Sequence, residues 1–127
     1  MKQIQWYPGH MAKAKRLIEE KLKLIDVVYE IVDARIPESS RNPMMDEITN
    51  HKDKILILNK ADLADDQVTK AWSKYYEENH IPHVVCNSLN DRILKDVYHQ
   101  TKKVLKHLHD QDIEKGRQKR HFKAMVI

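Results

Sequence analysis

Short apolar runs alternate along the chain with longer segments in which apolar residues recur every three to four positions. Short β-branched runs are typical of strands covered on both faces, whereas the longer spacing is typical of one face of a helix. The pattern predicts strands over 27–32, 54–59, 83–86 and 122–127, and helices over about 11–24, 43–50, 66–76 and 91–108. Polar stretches over 37–41 and 110–120 are predicted to be a loop and a linker.

Two of the predicted helices begin with residues that favour a helix start. The side chain of Asn42 can accept a hydrogen bond from the first turn, and Pro43 suits the first helical position because it needs no N–H partner there. Asp65 or Asp66 can cap the next helix in the same way. These signals fix where both elements begin.

Strands that alternate with helices predict an α/β fold, a parallel sheet with helices on both faces, because parallel neighbours need a crossover that a helix supplies. Ligands of such sheets bind at the carboxyl ends of the strands. That rule selects the loops that begin at Asp33, Asn59 and Asn87 as candidates for function.

The loop Asn59-Lys60-Ala61-Asp62 follows a predicted buried strand. A carboxylate at its fourth position can accept hydrogen bonds from the ring N–H and the exocyclic amine of guanine, a donor pair that adenine lacks. Asn59 would fix the loop, and the aliphatic stem of Lys60 could lie along the base. The pattern therefore predicts a guanine-binding loop; the other interpretation is an ordinary turn rich in Asn and Asp.

Asn87 and Ser88 come one strand and helix unit later. If their strand lies beside the preceding one, the backbone N–H of Ser88 could be directed at the guanine carbonyl. A serine after a strand is more often a turn or cap residue. Together with Asn59 and Asp62, the pair is interpreted as part of the same site.

Phosphate loops of this class of fold have the form G-x-x-x-x-G-K-[ST], and this chain contains only the glycines Gly9 and Gly116. Neither is followed by the Lys and Ser or Thr that such a loop requires. The sequence thus offers a way to bind a base but no visible way to bind the β- and γ-phosphates or Mg²⁺.

The chain of 127 residues is 41% hydrophobic, which is enough for one core of ordinary size. Cys86 is the single cysteine and cannot form an internal disulfide, and no secretory signal pattern is present. No run approaches the roughly 20 consecutive apolar residues of a membrane span. We expect one soluble, cytoplasmic domain with no membrane contact.

The net charge is +4, with basic clusters at Lys13, Lys15 and Arg16 and within residues 115–120. Such clusters can bind RNA phosphates through counterion release. They can equally be ordinary solvated surface.

Taken together, these features resemble the circularly permuted GTPases, in which the base-reading loop precedes the phosphate loop. The resemblance covers essentially the whole chain, and its carriers are residues 5–14, 33–37 with 39–43, and 59–63. It implies a P-loop NTPase-like fold that is incomplete, with residues 1–10 as an N-terminal arm and 11–127 as the guanine-recognition half of the domain. The phosphate loop is then expected directly after Ile127.

The resemblance also implies a GTP-hydrolysing factor for late assembly of the large ribosomal subunit, with precursor ribosomal RNA and proteins as partners. Its cofactors would be GTP or GDP with Mg²⁺, whose ligands are expected beyond Ile127, and K⁺ is a candidate accessory ion. The 127 residues alone are not expected to be catalytically competent. The competing hypothesis is a non-enzymatic RNA-binding α/β module with a degenerate nucleotide loop.

Several single residues acquire expected roles from the resemblance. His10 matches a histidine to which the family assigns the positioning of the attacking water, although on its own it would be a helix-start residue. Arg35 and Arg41 become candidates for contact with RNA or support of the nucleotide loop, while simple pairing of Asp33 with Arg35 is the default expectation. Lys13 and Arg16 share the RNA prediction.

Overall fold

The computed structural model describes residues 9–86, 92–116 and 121–127. The described elements, in chain order, are α1 Gly9–Leu22, β1 Val27–Asp33, α2 Pro43–Thr49, β2 Asp53–Asn59, a 3-10 turn Ala61–Leu63, α3 Asp66–Glu78, β3 His83–Val85, α4 Ile93–Val104, α5 Lys106–Glu114 and β4 Ala124–Val126. The predicted α/β fold is confirmed. None of the helices within these ranges has the length and apolar character needed to cross a bilayer.

The strands form one parallel sheet in the order β3-β2-β1-β4. In the register of β1 and β2, Asp33 lies beside Asn59, so the two candidate loops leave the sheet side by side. Because β2 and β3 are also parallel neighbours, β3 ends at the same edge of the sheet. The sheet therefore brings together the carboxyl ends of the three strands that precede the candidate loops.

Alternate residues of β1 pack against different layers of the fold. Val27 is fully buried on the face covered by α4 and α5, in a cluster with Ile55 and Leu105. Val28 is fully buried on the opposite face with Leu22 of α1. Burial of a valine of this kind stabilises a fold by roughly 1.5–3 kcal/mol, so β1 is a rigid support for the loop that follows it.

Both predicted helix starts are confirmed. The Oδ1 atom of Asn42 accepts a hydrogen bond from the Met44 N–H at 3.0 Å, with Pro43 at the first helical position. Asp65, rather than Asp66, caps α3 by accepting from the N–H groups of residues 67 and 68.

The long helix predicted over 91–108 is in fact two helices, α4 and α5, that meet at Leu105. Leu105 is fully buried, and its backbone, with φ of -95° and ψ of 13°, departs from helical geometry. The linker prediction is wrong for residues 110–114, which lie in α5. This helix has few apolar positions, so hydrophobic periodicity could not reveal it.

Candidate functional site

Backbone hydrogen bonds hold the three strand ends together. The Ala34 N–H donates to the Asn59 carbonyl at 2.8 Å, which ties the loop after β1 to the end of β2. The Ala61 N–H donates to the Cys86 carbonyl at 3.1 Å, which ties the Asn59 loop to the end of β3. The loop Asn59-Lys60-Ala61-Asp62 is thus fixed on both sides at the carboxyl edge of the sheet.

Lys60 adopts the left-handed conformation, with φ of 61° and ψ of 33°. This region is uncommon for a residue with a side chain, and such strain tends to occur at functional sites. The reversal turns the chain from β2 directly into the 3-10 turn, whose Leu63 N–H donates to the Lys60 carbonyl at 2.9 Å. The side-chain ammonium of Lys60 lies 4.0 Å from Asp33 Oδ2, so Lys60 bridges the ends of β2 and β1.

Asp62 lies on that 3-10 turn and is exposed to solvent. Burial raises the pKa of the Cys86 thiol at the end of β3, and the negative charge of Asp62 raises it further. Asp62 therefore lies near the end of β3. An exposed carboxylate held by a rigid turn above the strand ends can accept hydrogen bonds from an incoming group with two neighbouring donors.

Asp33 ends β1 in the pairing that was expected with Arg35. Arg35 donates from Nε to Oδ1 at 3.0 Å and from Nη2 to Oδ2 at 2.7 Å. These bonds hold the pKa of the Asp33 carboxyl well below its usual range, so it is ionised at neutral pH. The Asp33 N–H donates to Ser40 Oγ at 2.9 Å, which ties this loop back onto the strand end.

Arg41, in the segment between β1 and α2, lies within a cluster of charged side chains. It contacts Glu30 at 3.3 Å and Glu38 at 3.5 Å and pairs with Asp46. Lys54 completes the cluster at 2.8 Å from Asp46. Although partial burial works against it, the hydrogen bond to Glu30 raises the pKa of Arg41.

Hydrophobic periodicity does not reveal this cluster, because Glu30 stands inside an apolar strand run and the pattern assigns the whole run to a strand. Glu30 is only 4% exposed. A buried carboxylate requires a partner, so the signal available in the sequence was a glutamate in a core strand with Lys54 at the start of the next one.

The remaining predicted residues are placed as follows. His10 lies in the first turn of α1, and Lys13 and Arg16 are exposed further along that helix. Asn87 and Ser88 lie outside the described residues. The described ranges contain no group of three or more His, Cys, Asp or Glu side chains placed to hold a metal ion.

Comparison with known proteins gives relatives that match only in part along their own length. No protein-family model matches the chain. It is 51% identical over 124 residues to "Ribosome biogenesis GTPase A" of Bacillus licheniformis, covering 98% of this chain and 44% of that protein. The protein of the same name from Bacillus pumilus is 48% identical, again over 124 residues, 98% of this chain and 44% of the relative.

A solved structure agrees with the fold. The crystal structure of GNP-bound YlqF from T. maritima is 25% identical in sequence and matches with a TM-score of 0.56. The match covers 90% of this chain and 41% of the YlqF chain. The chain thus spans under half of the length of the relatives it matches. Over 98% of its length, the chain is thus similar to part of the proteins named "Ribosome biogenesis GTPase A" in two Bacillus species.

Proposed function

We propose that this chain supplies the guanine-binding part of a GTP-hydrolysing factor that acts in late assembly of the large ribosomal subunit. The observation that carries the proposal is the left-handed turn at Lys60, after which Asp62 lies exposed on the 3-10 turn that follows the end of β2. Relatives named as ribosome biogenesis GTPases support the ribosomal role. Work on ribosomal particles would place the protein in the cytoplasm.

In this proposal Asp62 accepts hydrogen bonds from the ring N–H and exocyclic amine of guanine. Adenine would leave the carboxylate without those donors, and an unsatisfied charged group costs about 1–3 kcal/mol or more. Asn59 fixes the loop, and the stem of Lys60 lies along the base while its ammonium faces Asp33. Asn87 and Ser88, which follow β3 in the sequence, are proposed to contribute to the same site.

The role proposed for the described residues is limited to the base. GTP would bring the phosphate whose transfer to water is the reaction, and Mg²⁺ would neutralise the developing charge there. The residues for both, and for K⁺ if it takes part, are expected beyond Ile127. The role of this chain is therefore to select the base and hold it in place.

His10 is proposed to position the attacking water in the full-length protein. The proposal rests on the place of His10 directly after Pro8-Gly9, which matches the histidine to which the circularly permuted GTPases assign this role. We expect His10→Ala to slow particle-stimulated hydrolysis and to leave GTP affinity nearly unchanged. A large loss of affinity would instead assign His10 to structure.

RNA contact is proposed for Lys13 and Arg16, which are exposed on α1. Arg35 and Arg41 are held by carboxylates at the base of the loops, which favours support of the nucleotide loop for these two. Binding of the full-length protein to precursor particles should weaken steeply with salt. An affinity that does not respond to salt would count against the basic residues.

Two measurements test the proposal as a whole. Nucleotide titration of the full-length protein should give tighter binding of GDP and GTP than of ATP, while the 127 residues alone bind none of them well. Reading the coding DNA past Ile127 should reveal G-x-x-x-x-G-K-[ST] in frame. A stop codon at that point would favour the non-enzymatic RNA-binding module.

A further inference from the structure

A cleft of about 260 Å³ lies between α4, α5 and the segment before β4. Its lining side chains are Tyr98, Lys102, Lys106, His109 and Phe122. Two of these residues carry a permanent positive charge and none is acidic. The cleft is therefore an attractive site for a negatively charged ligand.

Aromatic rings stand among these charges in defined positions. Tyr98 is 54% exposed, and the ammonium of Lys102 lies 4.8 Å from the centroid of its ring. This cation–π contact orders ring and lysine relative to each other before any ligand arrives. Phe122 packs against the core cluster that contains Leu105, so that wall of the cleft is anchored to the core.

The size of the cleft limits its occupant. Pockets for drug-sized molecules are roughly 300–1,000 Å³, and this one is slightly smaller. A single nucleobase on an aromatic ring, with its flanking phosphates on the lysines, matches both the size and the charge. Base stacking on aromatic side chains beside a basic track is how proteins hold single-stranded nucleic acid.

The other flank of α4 shows what such a site lacks. The groove there, between α3 and α4, is lined by Glu77 and Asp96 together with His83 and His99. Its carboxylates would repel phosphates. Of these two described clefts, the one on the Tyr98 side combines aromatic rings with lysines and has no acid among its lining residues.

The cleft lies away from the guanine loop. Phe122 precedes the first residue of β4, and His107 of α5 contacts Asp53, the first residue of β2, at 2.7 Å. Phe122 and the contact of His107 with Asp53 thus lie at the amino ends of β4 and β2. The guanine loop lies at the carboxyl ends. A ligand in this cleft can bind at the same time as a nucleotide.

We propose that the cleft formed by Tyr98, Lys102, Lys106, His109 and Phe122 binds an unstacked base and the adjoining phosphates of single-stranded RNA. The proposal rests on the proposed ribosomal function, since it names the kind of RNA that this part of the protein contacts. Free mononucleotides and acidic peptides share part of the required chemistry, and the experiment separates them from RNA.

The test uses the full-length protein and a fluorescein-labelled single-stranded RNA of about 12 nucleotides, within the roughly 4–16 nucleotides of known single-strand sites. Fluorescence anisotropy should show that Tyr98→Ala weakens binding about fivefold to a hundredfold, as loss of one stacked base predicts. Tyr98→Phe should keep the affinity within about twofold because it keeps the ring. Lys102→Gln with Lys106→Gln should reduce the slope of log affinity against log salt by about 1.4.

Tyr75→Ala is the matched control. Tyr75 is 46% exposed, on α3, and lines a cleft with Glu38 and no lysine, so its loss should leave RNA affinity unchanged. Equal weakening by Tyr75→Ala and Tyr98→Ala, or no effect of Tyr98→Ala, would overturn the proposal. So would competition by free GMP or by a polyglutamate peptide that matches competition by unlabelled RNA.

Photocrosslinking guards against misfolded variants. The wild-type protein irradiated with RNA that carries 4-thiouridine should yield crosslinked peptides containing Tyr98 or Phe122, and crosslinks confined to other peptides would contradict the proposal. Binding of fluorescent GDP to the same samples separates the two hypotheses. If the substitutions in the cleft do not change RNA affinity while the protein still prefers guanine nucleotides, the cleft proposal alone is wrong. If they change RNA affinity as expected but the protein shows no preference for guanine nucleotides, the proposed GTPase role is wrong.

Discussion

Replacing Arg41 by alanine tests whether the charged cluster holds the loop after β1 in place. The guanidinium contacts Glu30 through Nη2 at 3.3 Å and through Nε at 3.4 Å. It also joins Glu38 and Asp46. Removing it leaves the carboxylate of Glu30, which is only 4% exposed, with Lys54 as the nearest remaining partner at 3.6 Å.

The magnitude follows from burial and from the remaining partner. Breaking a fully buried ion pair costs about 3–5 kcal/mol, and a hydrogen bond to a charged group contributes about 1.5–3 kcal/mol. The Arg41 side chain is 20% exposed and Lys54 stays close to Glu30, so the lower range applies. We expect Arg41→Ala to reduce the free energy of unfolding by about 2–3 kcal/mol, or to lower Tm by roughly 6–15 °C.

Urea denaturation followed by circular dichroism measures this loss, and Arg16→Ala is its control. Arg16 is exposed on α1, so its replacement should change the free energy of unfolding by no more than about 0.5 kcal/mol. If Arg41→Ala proved as stable as Arg16→Ala, the cluster would contribute nothing to the fold. Arg41 would then be better explained as a residue kept for a ligand.

Three further substitutions probe single features of the structure. Lys60→Gly should stabilise the fold by roughly 0.5–1 kcal/mol, because glycine relieves the left-handed backbone at a cost in chain entropy; thermal unfolding that shows a loss would mean that the Lys60 side chain itself supports the turn. His80→Gly should give a similar gain in stability, since His80 has φ of 56°. It stands in a helix-ending motif in which the Ile81 N–H donates to the Tyr76 carbonyl and the His80 N–H to the Glu77 carbonyl. An unchanged Tm would show that this backbone is not strained. Thr69→Val should stabilise by about 1 kcal/mol, because the Thr69 hydroxyl oxygen is buried with no hydrogen-bond partner among the described residues; a less stable variant would indicate a partner for that oxygen.

The sequence was sufficient for the elements that periodicity and capping define. The apolar run of β2 and the cap at Asn42 both lie where the pattern predicts. Side-by-side placement of the Asp33 and Asn59 loops also followed, because parallel strands bring their carboxyl ends to one edge.

Features that depend on tertiary contacts could not be predicted. The polar helix α5 has no apolar stripe, and the break between α4 and α5 falls at Leu105, whose side chain is fully buried. The cluster around Glu30 brings together residues from four separate segments of the chain. The left-handed backbone at Lys60 had no sequence signal, since lysine is not a residue that favours it.

The most direct test of the guanine-binding loop compares GDP, IDP and ADP by competition against fluorescent GDP in the full-length protein and in its Asp62→Ala variant. IDP lacks the exocyclic amine and ADP lacks both donors, so each missing bond to the carboxylate should cost roughly tenfold or more. We predict the affinity order GDP, IDP, ADP for the wild type and nearly equal affinities for Asp62→Ala. A wild-type protein that binds the three nucleotides equally, or a variant that keeps the full preference for GDP, would contradict the assignment of this loop.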